Sequence, residues 1–265
     1  MANIVKNREG LTLLELVVVL VILVALAGIL IPLLPGMISR AHTAEHGTNC
    51  VETTKAVEMF NIINRGYPDQ LDSLMGSSGS SLSTKLPPIG GTPCGGDLTT
   101  NTLTTITAAA LNNANITTAW NLNDSSSTTD LLDPTTCYSG TATVASGSTV
   151  AMLSPAAISR LYNDPPANAP TGYVPGTYVV FGLGTKATMI GKPGGMFDAP
   201  LHFSDDPAAA GDPTKTYGRY ALVFVIPGNA TTNTVAQFVG ALALHPDALM
   251  GADAAVEEFH QQNPQ

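Results

Sequence analysis

The sequence predicts an α+β protein in which a long amino-terminal helix packs on an antiparallel β-sheet. Apolar residues run almost without interruption from Leu11 to Leu34, and helical spacing of apolar residues resumes beyond them as far as Asn64. The carboxyl-terminal third instead contains β-branched and aromatic runs that are separated by Gly and Pro, a pattern typical of strands. Hydrophobic residues make up 44% of the chain and charged residues 12%, enough to bury a core.

The charge distribution excludes one class of partner. The chain has 11 basic and 20 acidic residues, a formal net charge of -9, and no Lys or Arg between Lys85 and Arg160. Proteins that follow a phosphate backbone need a basic patch or stripe. We therefore expect no nucleic-acid partner.

Residues 11–35 are predicted to form a membrane-spanning helix. From Leu11 to Leu34 only Thr12 and Glu15 are polar. At about 1.5 Å per residue this run would extend about 36 Å, which exceeds a bilayer core of about 30 Å. Lys6 and Arg8 precede the helix and the next basic residue is Arg40, so the positive-inside rule places the amino terminus in the cytoplasm and the remaining chain outside.

Glu15 needs an explanation, because a carboxylate within a membrane helix costs about 2.5–3.5 kcal/mol on insertion scales. A secretory signal peptide would use Ala25-Leu26-Ala27 as its cleavage site, but it would leave Glu15 inside the apolar region without a role. A plain signal anchor leaves Glu15 equally unexplained. A side chain that only reaches back to the lipid headgroups is a third alternative.

The residues around Glu15 carry a resemblance. Gly10 followed by Leu11-Thr12-Leu13-Leu14-Glu15-Leu16 resembles the processing site of type IV prepilins and type II secretion pseudopilins. The resemblance implies that prepilin peptidase removes residues 1–10 as a cytoplasmic leader and methylates the new amino terminus on Leu11, which stands where the family usually has Phe. Glu15 then becomes the fifth mature residue, the position at which the family has its glutamate.

The same resemblance implies a pilin-like fold and a structural function without catalysis or a cofactor. The chain is expected to be a subunit of a type IV pilus-like filament or a type II secretion pseudopilus. It would cross the bacterial inner membrane once, with its carboxyl-terminal domain periplasmic or extracellular, and polymerise through its apolar helix on an inner-membrane assembly platform. The amine on Leu11 of one subunit would pair with the Glu15 carboxylate of a neighbour, so that each charge offsets the desolvation of the other.

The middle of the long helix is predicted to bend. Pro32 removes the hydrogen bond to the carbonyl of Gly28, which is itself a poor helix former, and Pro35 follows one turn later. A kink or soft segment between Gly28 and Pro35 is one interpretation. The other is that Pro35-Gly36 ends the membrane helix.

Residues 36–64 are predicted to continue the helix outside the membrane. Val57, Phe60 and Ile63 share one stripe, with Ala56 and Met59 beside it, and we expect this stripe to pack on the sheet. Gly66 and Pro68 provide the helix stop. The following "GYPDQLDSLMG" resembles the segment after this helix in pseudopilins of the major class, which favours a pseudopilin over a surface pilin or a minor tip subunit.

Residues 65–265 are predicted to form the exported domain. Its segment 76–150 is rich in Ser, Thr, Asn and Gly, and we expect a loop-rich insertion that could include short strands. Three antiparallel strands are predicted from "GTYVVFGLG", "GRYALVFVI" and "TVAQFVGALAL". The terminal "PDALMGADAAVEEFHQQNPQ" could form a short helix that ends in a loose tail.

Two motifs suggest metal chemistry. His42, Glu45 and His46 fit the H-x-x-E-H pattern of zinc peptidases, so a membrane-anchored metallohydrolase is the alternative function. That chemistry requires a third protein ligand and a closed cleft, whereas the bland alternative is a solvated helix face. Asp205-Asp206 and Asp212 could supply oxygen ligands for calcium in an outer loop, or simply form a solvated acidic loop.

The three cysteines permit one disulfide in an exported domain. Cys94 and Cys137 both lie in loop-like sequence and are the preferred pair, which leaves Cys50 free. Three free thiols are the alternative, because connectivity cannot be determined from sequence.

Overall fold

A computed structural model describes residues 13–31, 34–87, 91–125, 129–202 and 214–253, with only the backbone described for 34–44. The chain divides into two compact units, residues 1–41 and 42–265. The fold is mixed α+β, as predicted, with an apolar amino-terminal helix and a carboxyl-terminal sheet.

Two consecutive helices begin the described chain. Helix α1 spans Leu13–Leu30, and helix α2 spans Leu34–Asn64. The interruption between them falls inside the segment from Gly28 to Pro35, and Pro32 itself lies outside the described residues. Helix α2 ends at Asn64, as the sequence predicts from Gly66 and Pro68.

The remaining elements form one sheet with two short helices. Helices α3 (Thr105–Asn113) and α4 (Pro155–Tyr162) begin at Thr104 and Ser154, whose side chains cap the first turn. The described strands are β1 Leu71–Asp72, β2 Leu98–Thr102, β3 Thr118–Leu122, β4 Tyr138–Thr143, β5 Thr149–Leu153, β6 Thr177–Gly182, β7 Tyr220–Ile226, β8 Gln237–Leu244 and β9 Leu249–Met250.

The sheet is mixed, which corrects the prediction of a purely antiparallel one. Its main path runs β4-β3-β1-β6-β7-β8-β9, and β5 pairs with β6 and with β2. The pair β1 and β3 is parallel, whereas the other described pairs are antiparallel. A parallel pair requires a long crossover, and the chain between β1 and β3, which includes α3, provides it.

Strands β6, β7 and β8 confirm the three strands predicted from the sequence. Along β6 the side chains of Val179 and Phe181 enter one buried cluster, whereas Tyr178 and Val180 enter another. This alternation follows from the two-residue period of a strand. Both faces of the sheet centre are therefore buried, and the strands read as continuous apolar runs.

Helix α2 packs on one of these faces. Val57 and Phe60 are buried in the cluster that also contains Phe181 and Phe224, as predicted. The prediction is wrong for Ile63 and Met59, whose side chains are 56% and 57% exposed. The buried positions of α2 begin at Cys50 and Thr53, and at 3.6 residues per turn Ile63 falls about 100° away from the centre of the stripe they define.

Segment 76–150 contains the short strands β2, β3 and β4, which the sequence analysis allowed for without locating them, and also helix α3, which it did not predict. Strands β2 and β4 lie at sheet edges and are composed of polar or small residues, "LTTNT" and "YSGTAT". Polar edge strands are a common protection against edge-to-edge aggregation. Because β2 and β4 consist mainly of polar and small residues, they lack the alternation of apolar and polar residues from which strands are predicted.

The segment after α2 joins the helix to the sheet. The ring of Tyr67 lies 5.4 Å from that of Phe224 and 6.1 Å from that of Phe238, and its hydroxyl accepts a hydrogen bond from the Phe238 amide at 3.3 Å. Aromatic pairs at such separations add about 0.5–1.5 kcal/mol beyond their buried area. Tyr67 therefore fixes the direction in which the chain leaves α2.

Asp69 joins this segment to the start of β3. Its carboxylate accepts hydrogen bonds from the backbone amides of Thr117 and Thr118 at 2.8 and 2.9 Å, and from their hydroxyls at 2.7 and 3.2 Å. Partial burial raises the pKa of Asp69, but the hydrogen bonds from Thr118 and Thr117 outweigh it, and the pKa lies below its usual value. The ionised carboxylate thus holds the start of β3.

We predict that Asp69→Ala lowers the free energy of unfolding of residues 36–265 by about 2–3 kcal/mol, because hydrogen bonds to a charged group contribute that much and the Thr117 and Thr118 amides lose their acceptor. Denaturant unfolding measures the change. Asp133→Ala serves as the control, since that exposed carboxylate bonds only within its own turn. Equal effects of the two variants would contradict the anchoring role of Asp69.

Candidate functional site

The described part of the predicted processing and assembly region is helix α1. Gly10 and Leu11 lie outside the described residues. Glu15 lies in the first turn of α1, where a negative charge interacts favourably with the helix dipole. Gly28 lies near the end of α1, and Pro35 is the second residue of α2.

Helix α1 is apolar on all sides. Its sequence, LLELVVVLVILVALAGIL, has no polar face, and none of its side chains is buried. The helix is long and apolar enough to cross a membrane. A helix of this kind needs an apolar environment on every side.

The H-x-x-E-H motif is only partly described. The side chain of His42 lies outside the described residues, and Glu45 is exposed. His46 is half-buried rather than solvated, and its ring lies at 74° to the ring of His202, with the two ring centroids 4.0 Å apart. The ring centroid of His202 in turn lies 6.4 Å from that of His245. Sequence reasoning missed this convergence, since the three histidines are far apart in the chain.

The described residues do not form a metal-binding cluster. Among the residues it covers, no group of three or more His, Cys, Asp or Glu side chains is placed to hold a metal ion. Asp205, Asp206 and Asp212, the candidates for calcium, lie outside the described residues.

The predicted disulfide between Cys94 and Cys137 is not present in the structure. Cys50, Cys94 and Cys137 are all free and buried. Burial raises the pKa of the thiols, to about 12 for Cys50 and Cys94 and about 11 for Cys137. Such thiols stay protonated and pack as small apolar side chains.

A buried carboxylate that the sequence did not indicate lies at the centre of the domain. Asp72, on β1, is fully buried, and its Oδ2 accepts a hydrogen bond from the Tyr217 hydroxyl at 2.6 Å. Arg219, which is itself buried, supplies a nearby positive charge. Nothing in "YPDQLDSL" distinguishes Asp72 from an exposed aspartate, because its partners come from the distant β7 region.

Two glycines provide the space for this group. A Cβ on Gly184 would come within 2.1 Å of Asp72 Oδ1, and one on Gly182 within 2.0 Å of the Tyr217 hydroxyl. Any larger residue would displace the carboxylate or the phenol. The "GLG" that ends the β6 segment is therefore required by close approach rather than by a turn.

Burial raises the pKa of Asp72 to about 6, although the hydrogen bond from Tyr217 and the charge of Arg219 act in the opposite direction. A carboxylate next to a buried guanidinium and a phenol forms a structural network. Asp72, Tyr217 and Arg219 are all buried, as expected for a group that joins parts of the domain. We therefore assign it to domain stability.

Comparisons with known proteins give no family assignment. No protein-family model matches the chain, and no match was found among the curated proteins or the solved structures.

We predict that Asp72 makes the domain less stable as the pH rises. Its folded-state pKa exceeds the usual 3.8, so its stabilising contribution is complete below about pH 4 and is lost as the pH passes about 6. A difference of about two pKa units corresponds to about 3 kcal/mol. Denaturant unfolding of residues 36–265 across this range should show the loss relative to Asp72→Asn, which cannot titrate. Parallel pH profiles for the two proteins would contradict it.

Proposed function

We propose that this chain is a type IV pilin-like structural subunit that is inserted in the membrane by α1 and then polymerises through α1. The observation that carries the proposal is that α1 is apolar all round and leaves every described side chain exposed. Burying one Leu, Val or Ile side chain is worth about 1.5–3 kcal/mol, so water is an unfavourable environment for this helix. Lipid surrounds the helix after membrane insertion. In the polymer, the α1 helices of other subunits take the place of the lipid.

Processing after Gly10 gives Glu15 a role in that polymer. Removal of residues 1–10 by prepilin peptidase creates a charged amine on Leu11, less than two turns of helix from Glu15. In a staggered bundle of α1 helices the amine of one subunit reaches the carboxylate of the next. Each charge then has a partner in a region of low dielectric constant, where an unpaired charge is costly.

The structure of the carboxyl-terminal domain supports a structural role for the domain in the proposed polymer. Its helix α2 is anchored on a sheet whose centre is buried on both faces. The pseudopilin subtype is favoured over a surface pilin because "GYPDQLDSLMG" resembles the segment that follows this helix in pseudopilins of the major class. The proposed location is the bacterial inner membrane, with the domain outside the cytoplasm and the assembly platform as a partner.

We predict that Glu15→Leu inserts into the membrane at least as well as the wild type but fails to polymerise. The substitution removes a charge from the span, yet it leaves the Leu11 amine of a neighbour unpaired, and breaking a buried ion pair typically costs about 3–5 kcal/mol. Polymer yield per membrane-inserted subunit is the measurement.

Glu15→Asp and Glu15→Gln are the matched variants. Asp keeps the charge and should retain part of the assembly, whereas Gln keeps the shape and hydrogen bonding but should be impaired. Normal polymer yield with both Leu and Gln would mean that the carboxylate only reaches the headgroups.

A further inference from the structure

A cleft of about 660 Å³ lies beside strand β8. It is lined by residues 239–242 of β8, by residues of α2 between 50 and 55, and by residues 160–162 of α4. Ligand sites in proteins typically have about 300–1,000 Å³. The cleft is therefore large enough to hold one or more large side chains.

The cleft exists because β9 is short. Among the described strands, β9 pairs only with Ala243 and Leu244 of β8, so it leaves the edge of β8 before these residues uncovered. The Ala241 amide donates instead to the Thr54 hydroxyl on α2, at 3.1 Å. At Gly240 an added Cβ would meet no atom within 4 Å, so the absence of a side chain leaves open space. Native proteins commonly cover such an edge with another segment.

Two valines give the cleft an exposed apolar surface. Val51 on α2 is 40% exposed and Val239 on β8 is 37% exposed, and both line the cleft. Leu161 and Leu242 line it as well. An apolar side chain that enters the cleft would remove this surface from water, which is favourable in proportion to the area buried.

Charge does not select an occupant for this cleft. Arg160 already forms an ion pair with Asp97. Lys55 lies three residues after Glu52 on α2, a spacing at which opposite charges on a helix interact, and Asp253 adds a further negative charge. The occupant is therefore recognised by an apolar side chain rather than by an ion pair.

The chain itself leads into the cleft. Residues 251–253, which follow β9, form part of its lining, and the described part of the chain ends at Asp253. The sequence continues with residues 254–265, whose large apolar residues are Val256 and Phe259. Phe259 is six residues beyond Asp253, so the two Cα atoms lie within about 22 Å of each other. This length of chain is sufficient to place Phe259 over the cleft.

We propose that residues 254–265 dock in this cleft, with the Phe259 side chain between Val51 and Val239. The segment is tethered to the lining of the cleft, and a short tether gives an effective concentration in the millimolar range, so weak apolar contacts hold it in place. A free ligand or a second chain lacks this advantage. The contact forms within one chain and does not depend on polymerisation.

The docked segment holds the first buried part of α2 on the domain. The buried positions of α2 begin at Cys50 and Thr53, and Cys50 and Val51 both line the cleft. Tyr67 fixes the chain just beyond the other end of α2. Docking of residues 254–265 thus attaches α2 to the domain at both ends of its buried stripe.

Photo-crosslinking of the full chain in detergent micelles tests the docking. With p-benzoylphenylalanine in place of Phe259, we expect an adduct that keeps the mass of one chain on a denaturing gel. Its crosslinked peptide should contain residues of α2, α4 or β8 that line the cleft. An adduct of two chains would mean that a second copy fills the cleft, and it would overturn the proposal. Crosslinking only to other parts of the chain, or none, would overturn it as well.

Substitutions in the cleft provide the second arm of this test. Gly240→Leu places a side chain in the open space, and Val51→Ser removes an apolar contact at an exposed position of α2, where folding should be unaffected. Each should lower the yield of the one-chain adduct roughly tenfold. Gly140→Leu is the matched control and should leave the yield unchanged, because Gly140 is also a strand glycine at which an added Cβ meets no atom within 4 Å. An unchanged yield in both cleft variants would show that Phe259 crosslinks without docking, and the proposal would then be wrong.

Discussion

The exposed apolar surface of α1 is the constraint on which the rest of the molecule depends. A helix that is apolar on every side cannot bury its surface by packing on one neighbour, and none of the described side chains of α1 is buried. Membrane insertion and a bundle of like helices are the two environments that satisfy every side. Glu15 is the one ionisable residue of α1, and in the proposed polymer its pairing would decide how subunits are placed relative to one another.

The carboxyl-terminal domain is built to hold a long helix firmly on a sheet. Val57 and Phe60 provide the apolar contact, and the chain that leaves α2 adds Tyr67, Asp69 and Asp72 within a few residues. Each contacts a distant part of the sequence. A force applied along α2 in a polymer would therefore be distributed over the sheet rather than over one loop.

Sequence reasoning succeeded where periodicity was strong. The apolar run that became α1, the stop of α2 at Asn64 and the central strands β6, β7 and β8 all have patterns that follow from the geometry of their elements. It failed for β2 and β4, whose edge position favours the polar residues that conceal a strand. It also failed for the orientation of Ile63, because a helix stripe only a few turns long leaves its direction ambiguous.

The contacts of the candidate sites depended on tertiary structure. Asp72 meets Tyr217 and Arg219 only after β6 and β7 have paired, and His46 meets His202 only when α2 lies on the sheet. The choice of Cys94 and Cys137 as a disulfide used their loop-like surroundings, whereas both side chains pack in the apolar core as thiols. Gly10 and Glu15, by contrast, could be selected from the sequence because their pattern is local.

The most direct test of a pilin-like subunit is the mass of its mature amino-terminal peptide. Protein isolated from membranes or polymers should begin at Leu11 and carry one additional methyl group, since that terminus is the partner that Glu15 requires. An amino terminus at Gly28, which cleavage after Ala25-Leu26-Ala27 would create, would contradict the account, because the chain would have lost both Glu15 and most of the helix through which it is proposed to assemble.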